Sequence, residues 1–351
     1  MILTGLQKIK MFSRIYIEEE ALVYSRVKEV IEKYKNIPQV VCHHYGEIFN
    51  IKNQNFRTQK QFPALIIAIK KGKKILETPE GFGIGGHNNY YFSHMQNCLY
   101  DCRYCFLQGM YNSANYLWFV NYEDFITDII KVDNKNFLEK PCDSKCSTKN
   151  KNYFFSGYDC DSLVLESITG FAKEFLPFFS KLNNSIIEFR TKSVNTKIIE
   201  NSPLTENCLI AFSFTPDEIS KEVEHKVPPV RTRIQAIKRL SDLGWKIGLR
   251  FDPIIYKENF KSLYNKLIDD IFKDLNTDNL HSVSIGPLRF PKKMHEKISK
   301  LYPDENILTD SLIQRGNLIS YKKEIEEELK DAIVHKLSNY VTETKIFSCM
   351  N

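Results

Sequence analysis

Three cysteines stand close together at Cys98, Cys102 and Cys105, in the run NCLYDCRYCFLQ. Their C-x3-C-x2-C spacing puts three thiolates on one short loop. Such a loop supplies three of the four cysteines that a [4Fe–4S] cluster takes, leaving one iron open to a small molecule. Two other readings compete with it. A structural zinc site needs a fourth Cys or His with closed tetrahedral geometry, and the pair Cys142 and Cys146 is in the usual range for completing one. Inert buried thiols are the third possibility. Against zinc stand the apolar and aromatic neighbours Leu99, Tyr100, Tyr104, Phe106 and Leu107, where zinc knuckles are small and polar.

From about residue 89 the hydrophobic pattern alternates between strand and helix. The strand candidates are Tyr90 to His94, Asn152 to Phe155, Ser185 to Arg190, Leu209 to Phe214, Lys246 to Phe251 and Ser282 to Ile285. Helical periodicity lies between them at Leu163 to Ser180, Arg231 to Leu243 and Phe260 to Leu275. Alternation of this kind builds a parallel sheet with right-handed crossovers, and six units make an open, three-quarter (β/α)6 barrel. Active sites of such sheets form at the carboxyl ends of the strands. Polar residues sit at those ends here: Ser156 and Gly157, Arg190 to Lys192, Ser213 and Asp252. Singly each is an ordinary cap or turn former, but together they converge on one mouth above the cysteine loop.

Residues 1–88 read as a smaller α/β region, with strands at Arg14 to Glu18, Gln39 to His43 and Pro63 to Ile69 and a helix at Ala21 to Lys35. Residues 89–351 hold the partial barrel. Adjacent His43 and His44 point to opposite faces of a strand and read as structural. GFGIGG at Gly81 to Gly86 matches a dinucleotide fingerprint in letters only, because it leads into a strand-like HNNYYF where that fingerprint opens a helix. It reads as a connection, or as backbone that something approaches closely. Val132 to Lys151 is polar and lysine-rich, an exposed insertion whose Cys142 and Cys146 face solvent. A helix at Lys322 to Ser338 and a strand at Tyr340 to Phe347 follow the barrel.

Composition sets bounds on function. At 42% hydrophobic and 26% charged the chain has the balance of a folded soluble protein. It has no apolar run of eighteen residues and no secretory leader, so the expectation is a cytoplasmic protein without a membrane span. Nine cysteines without a paired framework fit a reducing compartment. The net charge of +6, with lysines at 70, 71, 73 and 74 and again at 131, 135, 140, 145, 149 and 151, permits a polyanionic partner without requiring one. Arg289, Phe290, Lys292 and Lys293 are further candidates for nucleic-acid contact.

The aromatic before the third cysteine, C-x3-C-x-Tyr-C, resembles the cluster motif of the radical S-adenosylmethionine superfamily. With SGYDCDSL at Ser156 to Leu163, EFRTKS at Glu188 to Ser193, FSFTP at Phe212 to Pro216 and GLRFDPII at Gly248 to Ile255, the chain from about Arg14 onward resembles the spore photoproduct lyase family. That resemblance implies the same partial barrel, a [4Fe–4S] cluster on Cys98, Cys102 and Cys105, and S-adenosyl-L-methionine as cofactor. It implies that Ser156 and Gly157 meet the cofactor's amino group, and that Lys192 and Ser213 hold its carboxylate. The implied activity is that of a radical carbon–carbon lyase: a 5′-deoxyadenosyl radical takes hydrogen from a methylene-bridged thymine dimer in damaged DNA, without light. A reductant protein such as flavodoxin or ferredoxin is the implied electron source.

Two departures bear on the end of the reaction. Tyr104 matches the family's first tyrosine, but Phe106 stands at the second. Where the family carries a hydrogen-donating cysteine, the chain has Tyr158, with Cys160 two residues later; either Cys160 is the donor, or Cys349 folds back to serve, or the chain has no donor. The catalytic candidates are therefore Cys160, Tyr104 and Tyr158. Two rivals stay open: a radical enzyme on a modified RNA base or a peptide, and a non-enzymatic iron–sulfur or zinc DNA-binding module.

Overall fold

A computed structural model describes residues 11–79, 81–86, 88–139 and 151–349, of which 135–139 are described by their backbone alone. Its strands in chain order are β1 (Ile15–Glu18), β2 (Gln39–Cys42), β3 (Leu65–Ala68), β4 (Leu76–Glu77), β5 (Asn88–Phe92), β6 (Met95–Gln96), β7 (Asp101–Cys102), β8 (Tyr116–Phe119) and β9 (Asn152–Ser156). They continue with β10 (Ser185–Thr191), β11 (Cys208–Ser213), β12 (Glu224–His225), β13 (Lys246–Ile254), β14 (Leu280–Pro287), β15 (Arg289–Pro291), β16 (Leu312–Arg315), β17 (Leu318–Tyr321) and β18 (Ile346–Ser348).

The chain forms two compact units. Among the described residues the first comprises 11–71, 95–97 and 111–121, and the second takes the others. The first is built on a sheet of order β2-β1-β3-β8-β6, parallel except for β6. Its fourth strand, β8, comes from the fully buried run Tyr116 to Phe119, which the hydrophobic pattern did not single out. Asn97 adopts a left-handed φ of 68°, and its amide donates to Ser113 O and Asn115 O, tying two of these returning stretches together. The adjacent histidines each meet their own carboxylate, His43 at Glu19 and His44 near Glu18.

The second unit is organised by an eight-stranded open sheet of order β18-β14-β13-β11-β10-β9-β5-β4. From β5 to β18 every pairing is parallel. The six expected strands are its inner members, and the fold is the partial barrel that the alternation implies. β4 adds an antiparallel edge, and β18 a seventh parallel strand. Long strands arise where apolar residues run without alternation, as in Cys208–Ser213, which is buried throughout. The connecting helices turn one apolar stripe to the sheet: Phe260, Tyr264, Leu267, Ile268, Ile271 and Phe272 are the buried members of Phe260–Phe272.

Three local expectations are corrected. The helix expected over Leu163 to Ser180 is broken at Gly170, whose φ of 57° suits glycine. After the break the Glu166 carboxylate accepts from the amides of Ala172 and Lys173, capping Phe171–Phe179. The first part of the expected insertion is helical, since Tyr122–Glu139 is one helix and Asp133 on it is buried, accepting from Ser185 Oγ at 2.5 Å. Cys142 and Cys146 lie outside the described residues. The C-terminal strand is shorter than expected, at Ile346–Ser348. The GFGIGG segment does lead into a strand, and a methyl on Gly86 would lie 2.4 Å from the Tyr153 ring, so its backbone is closely approached.

His94, 1% exposed, stacks flat on Phe171 at 3.8 Å between ring centroids. Burial drives its pKa down to about 3. Because the folded pKa lies below the ordinary value, this neutral ring contributes stability above about pH 6.5, and that contribution falls as pH drops from 6.5 toward 3. Urea unfolding of the wild type should lose up to about 1.4 kcal/mol per pH unit below pH 6.5 from this group, and His94→Phe should flatten that limb by one proton's worth. An unchanged slope in the variant would contradict it.

Candidate active site

Cys98, Cys102 and Cys105 lie on the loop that follows β5 and β6, and all three are thiols. The loop is held from two sides within its unit. On one side β7 pairs antiparallel with β12, setting Cys102 opposite Glu224 and Asp101 opposite His225, and Arg103 N donates to Val223 O at 2.8 Å. On the other, the Arg103 guanidinium meets Glu305 at 2.6 Å and lies 4.0 Å from the centroid of the Tyr302 ring. Gly109 allows the short helix Leu107–Met110 to pack against Lys292–Leu301, because a methyl there would lie 2.6 Å from Met294 O. The backbone of the cysteine loop is thus fixed by the barrel.

Behind the loop sits Glu224, with no exposed side-chain surface. It accepts from Tyr104 Oη, from Thr215 Oγ1 at 3.0 Å, from Ser220 Oγ at 2.6 Å and from Arg233 Nη2 at 2.7 Å. Lys192 Nζ stands 3.4 Å away and lies over the Tyr104 ring at 5.4 Å. Burial works against the charge on Glu224, but Lys192 and Arg233, with bonds from Ser220 and Tyr104, outweigh it and hold the pKa down at about 2. Burial and the Glu224 carboxylate in turn keep the Tyr104 phenol protonated. Tyr104 is therefore enclosed and committed to Glu224.

The strand ends assemble as expected. Ser156 closes β9, donating to Glu188 O at 2.8 Å and lying 2.8 Å from Ser162 Oγ. Gly157 follows at φ 82°, where a methyl would lie 2.5 Å from Ser162 Oγ. Ser213 closes β11, and Arg190 Nε reaches its Oγ at 3.4 Å while Nη2 reaches Asp252 Oδ2 at 3.5 Å. Asp161, within the SGYDCDSL segment, accepts from Thr191 Oγ1, Lys192 N, Leu163 N and Val164 N, so the turn after β9 is pinned to the end of β10. Of these, Glu224, Arg233 and Asp161 were not singled out from sequence; a buried acid surrounded by hydroxyls separated along the chain leaves no local motif.

The donor candidates separate. Tyr158 is 45% exposed and packs on Tyr91 at 4.5 Å and Phe106 at 5.4 Å. Cys160 is buried, whereas Cys349 is partly exposed at the end of β14, its N–H donating to Ile285 O at 2.8 Å. Of the residues considered for nucleic acid, Phe290 is fully buried and cannot stack a base, while Arg289 lies over the Phe82 ring at 4.8 Å. Lys71 pairs with Glu20, and Lys74 with Asp128.

The donor set fits an iron–sulfur cluster with one open iron: three thiols on one loop with a fixed backbone. Among the described residues no three Cys, His, Asp or Glu side chains form a ready-made metal cage. A basic ammonium and a hydroxyl at adjacent strand ends suit a carboxylate ligand.

A parallel partial barrel with such a loop and such a mouth is the architecture of radical S-adenosylmethionine enzymes. The family model described as spore photoproduct lyase matches residues 11–348. The spore photoproduct lyase of Bacillus subtilis (strain 168) is 22% identical, covering 95% of this chain and 96% of its own. That of Clostridium acetobutylicum is 21% identical over 96% and 98%. Among solved structures, a spore photoproduct lyase double mutant with bound AdoMet and dinucleoside spore photoproduct superposes with a TM-score of 0.80 at 18% identity, covering 97% of this chain and 98% of that one. Spore photoproduct lyase complexed with the dinucleoside gives 0.79 at 17% over the same shares. The chain belongs to the spore photoproduct lyase family.

Two outcomes test this site. Glu224→Ala strands the Arg233 charge in the interior, and should destabilise the protein by about 3–5 kcal/mol in urea unfolding, well beyond a surface change. Replacing Cys98, Cys102 or Cys105 by Ala should abolish the brown absorbance after anaerobic reconstitution with iron and sulfide; retained absorbance in all three would reject these residues as ligands.

Proposed function

We propose that this protein is a radical S-adenosylmethionine lyase that repairs a thymine photolesion of the spore-photoproduct type in DNA without light. One observation carries the reading: the cysteine loop is held at Glu224, which Lys192 approaches just beyond β10, and Ser213 ends the adjacent parallel strand β11, in a chain whose residues 11–348 match the family model. In this reading Cys98, Cys102 and Cys105 hold a [4Fe–4S] cluster. When bound, the reduced cluster and S-adenosylmethionine supply a one-electron cleavage that yields a carbon-centred radical able to take hydrogen.

The protein's own residues bind and orient. Lys192 exchanges part of its attraction to Glu224 for the cofactor's carboxylate, and Ser213 Oγ donates beside it. Ser156 and Gly157 present the backbone at the end of β9 to the cofactor's amino group, where the bare Gly157 leaves room for close approach. Tyr104, locked to Glu224, orients the loop and fills the space below Lys192. The exposed Tyr158, backed by Tyr91 and Phe106, offers a π-face to an extruded base, whose unstacking costs roughly a few kcal/mol and less when the base is damaged. A small low-potential protein such as flavodoxin or ferredoxin supplies the electron, and a reducing compartment such as the cytoplasm suits the thiols.

A second reading, another substrate for the same radical machinery, is favoured by Tyr158 and Phe106 at the two departing positions. One assay separates the two. Reduced, reconstituted protein incubated anaerobically with S-adenosylmethionine and an oligonucleotide containing spore photoproduct should release 5′-deoxyadenosine and restore thymine together. Deoxyadenosine without thymine would leave the radical chemistry and reject the lesion as substrate.

A further inference from the structure

Gln108 follows the third cysteine by one helical turn and is 2% exposed. Its side-chain amide donates to Asp101 Oδ1 at 2.8 Å and to the Cys102 carbonyl at 3.3 Å, and its oxygen accepts from Tyr302 Oη at 3.2 Å. Asp101 meets Arg103 Nη1 at 2.8 Å, and Arg103 returns over the Tyr302 ring at 4.0 Å from its centroid. Gln108, Asp101, Arg103 and Tyr302 thus close a circuit of side chains, with Cys102 inside its span. Both amide hydrogens and the amide oxygen of Gln108 are engaged, so the group has one orientation.

This circuit reaches where the strand pairing does not. The pairing of β7 with β12 ends at Cys102, and Cys105 lies beyond it. Backbone bonds close the turn in single steps, Cys105 N to Cys102 O at 3.1 Å and Gln108 N to Cys105 O at 3.1 Å. The Gln108 side chain spans both steps at once, from the short helix Leu107–Met110 back to Cys102 and Asp101. The chemistry of the residue matters here. A leucine would fill the volume but leave buried Asp101 and the Cys102 carbonyl short of donors, and a glutamate would set a second carboxylate against Asp101.

We propose that Gln108 is a positioning residue for the iron–sulfur cluster, fixing Cys105 relative to Cys102 and aiming its N–H groups at the ligand loop, with Tyr302 as its anchor. This inference rests on the reading of Cys98, Cys102 and Cys105 as the ligands. Groups that orient metal ligands set how firmly the metal is kept, and hydrogen bonds and charge around a cluster set its reduction potential. An N–H dipole directed at the loop favours the extra electron of the reduced state. Its removal should therefore make the potential more negative.

The test uses anaerobically reconstituted wild type, Gln108→Leu and Tyr302→Phe, with two readouts that need no turnover: iron loss to an excess of ferrous chelator, and the midpoint potential followed by the electron paramagnetic resonance of the reduced cluster. Gln108→Leu should lose iron at least about tenfold faster than wild type and titrate at a more negative potential. Tyr302→Phe keeps its ring over Arg103 and removes only the bond to Gln108, so it should change both readouts in the same direction by less. Should Gln108→Leu fail to fold, Tyr302→Phe decides. Wild-type iron retention and potential in the variants that fold overturn the positioning role, even where urea unfolding of the iron-free protein is weakened, since that is packing alone. A wild type that takes up no cluster rejects the ligand reading itself, and the role of Gln108 with it.

Discussion

One buried carboxylate carries the arrangement. Glu224 binds the cysteine loop through strand pairing and through Tyr104, the end of β11 through Thr215, and the helix Val230–Asp242 through Arg233, while Lys192 reaches in from the end of β10. An ionised acid in a dry interior costs several kcal/mol of lost hydration, which two cations and three hydroxyl donors offset only if all keep their places. That requirement converts four separate elements into one rigid frame. A cluster loop needs such a frame, because three thiols on a wandering loop would present metal ligands in many geometries.

A second buried pair makes the same point deeper in the barrel. Glu188 on β10 and Arg250 on β13 meet at 2.7 Å, each about 1% exposed, with Ser282 completing the arginine's bonds. Neither pair is simple stabilisation, since apolar packing of equal volume often does as well. Their contribution is geometric: strands that slide would strand a charge, so the register of β10, β11, β13 and β14 is held where it matters for the mouth.

The sheet was legible because its signal is repetitive: apolar strands alternate with amphipathic helices, and the six stretches recognised are the six inner strands. The cysteine loop was legible because its spacing is local. What stayed hidden is non-local. β8 is as apolar as any barrel strand, and nothing in Tyr116 to Phe119 says that it pairs with Leu65 to Ala68 fifty residues earlier. Glu224 lies in KEVEHK, an unremarkable charged stretch, and its role exists only once Arg233, Lys192 and Tyr104 surround it. Gly170 breaks a helix whose apolar spacing continues across it, so periodicity alone reads one helix where there are two. Phe290, chosen as a stacking aromatic from its basic neighbours, belongs to the core.

The interleaving of the two units has a consequence for how the molecule is made. Residues 95–97 and 111–121 belong to the first unit, and the cysteine loop at 98–110 between them belongs to the second. A ribosome delivering the chain from its N-terminus therefore cannot finish the first sheet until β8 has emerged, by which time all three cysteines are already outside the tunnel. Their final surroundings, Glu224 and the helix Lys292–Leu301, are synthesised more than a hundred residues later. For that interval the nascent polypeptide displays three neighbouring thiols without the barrel that later encloses them.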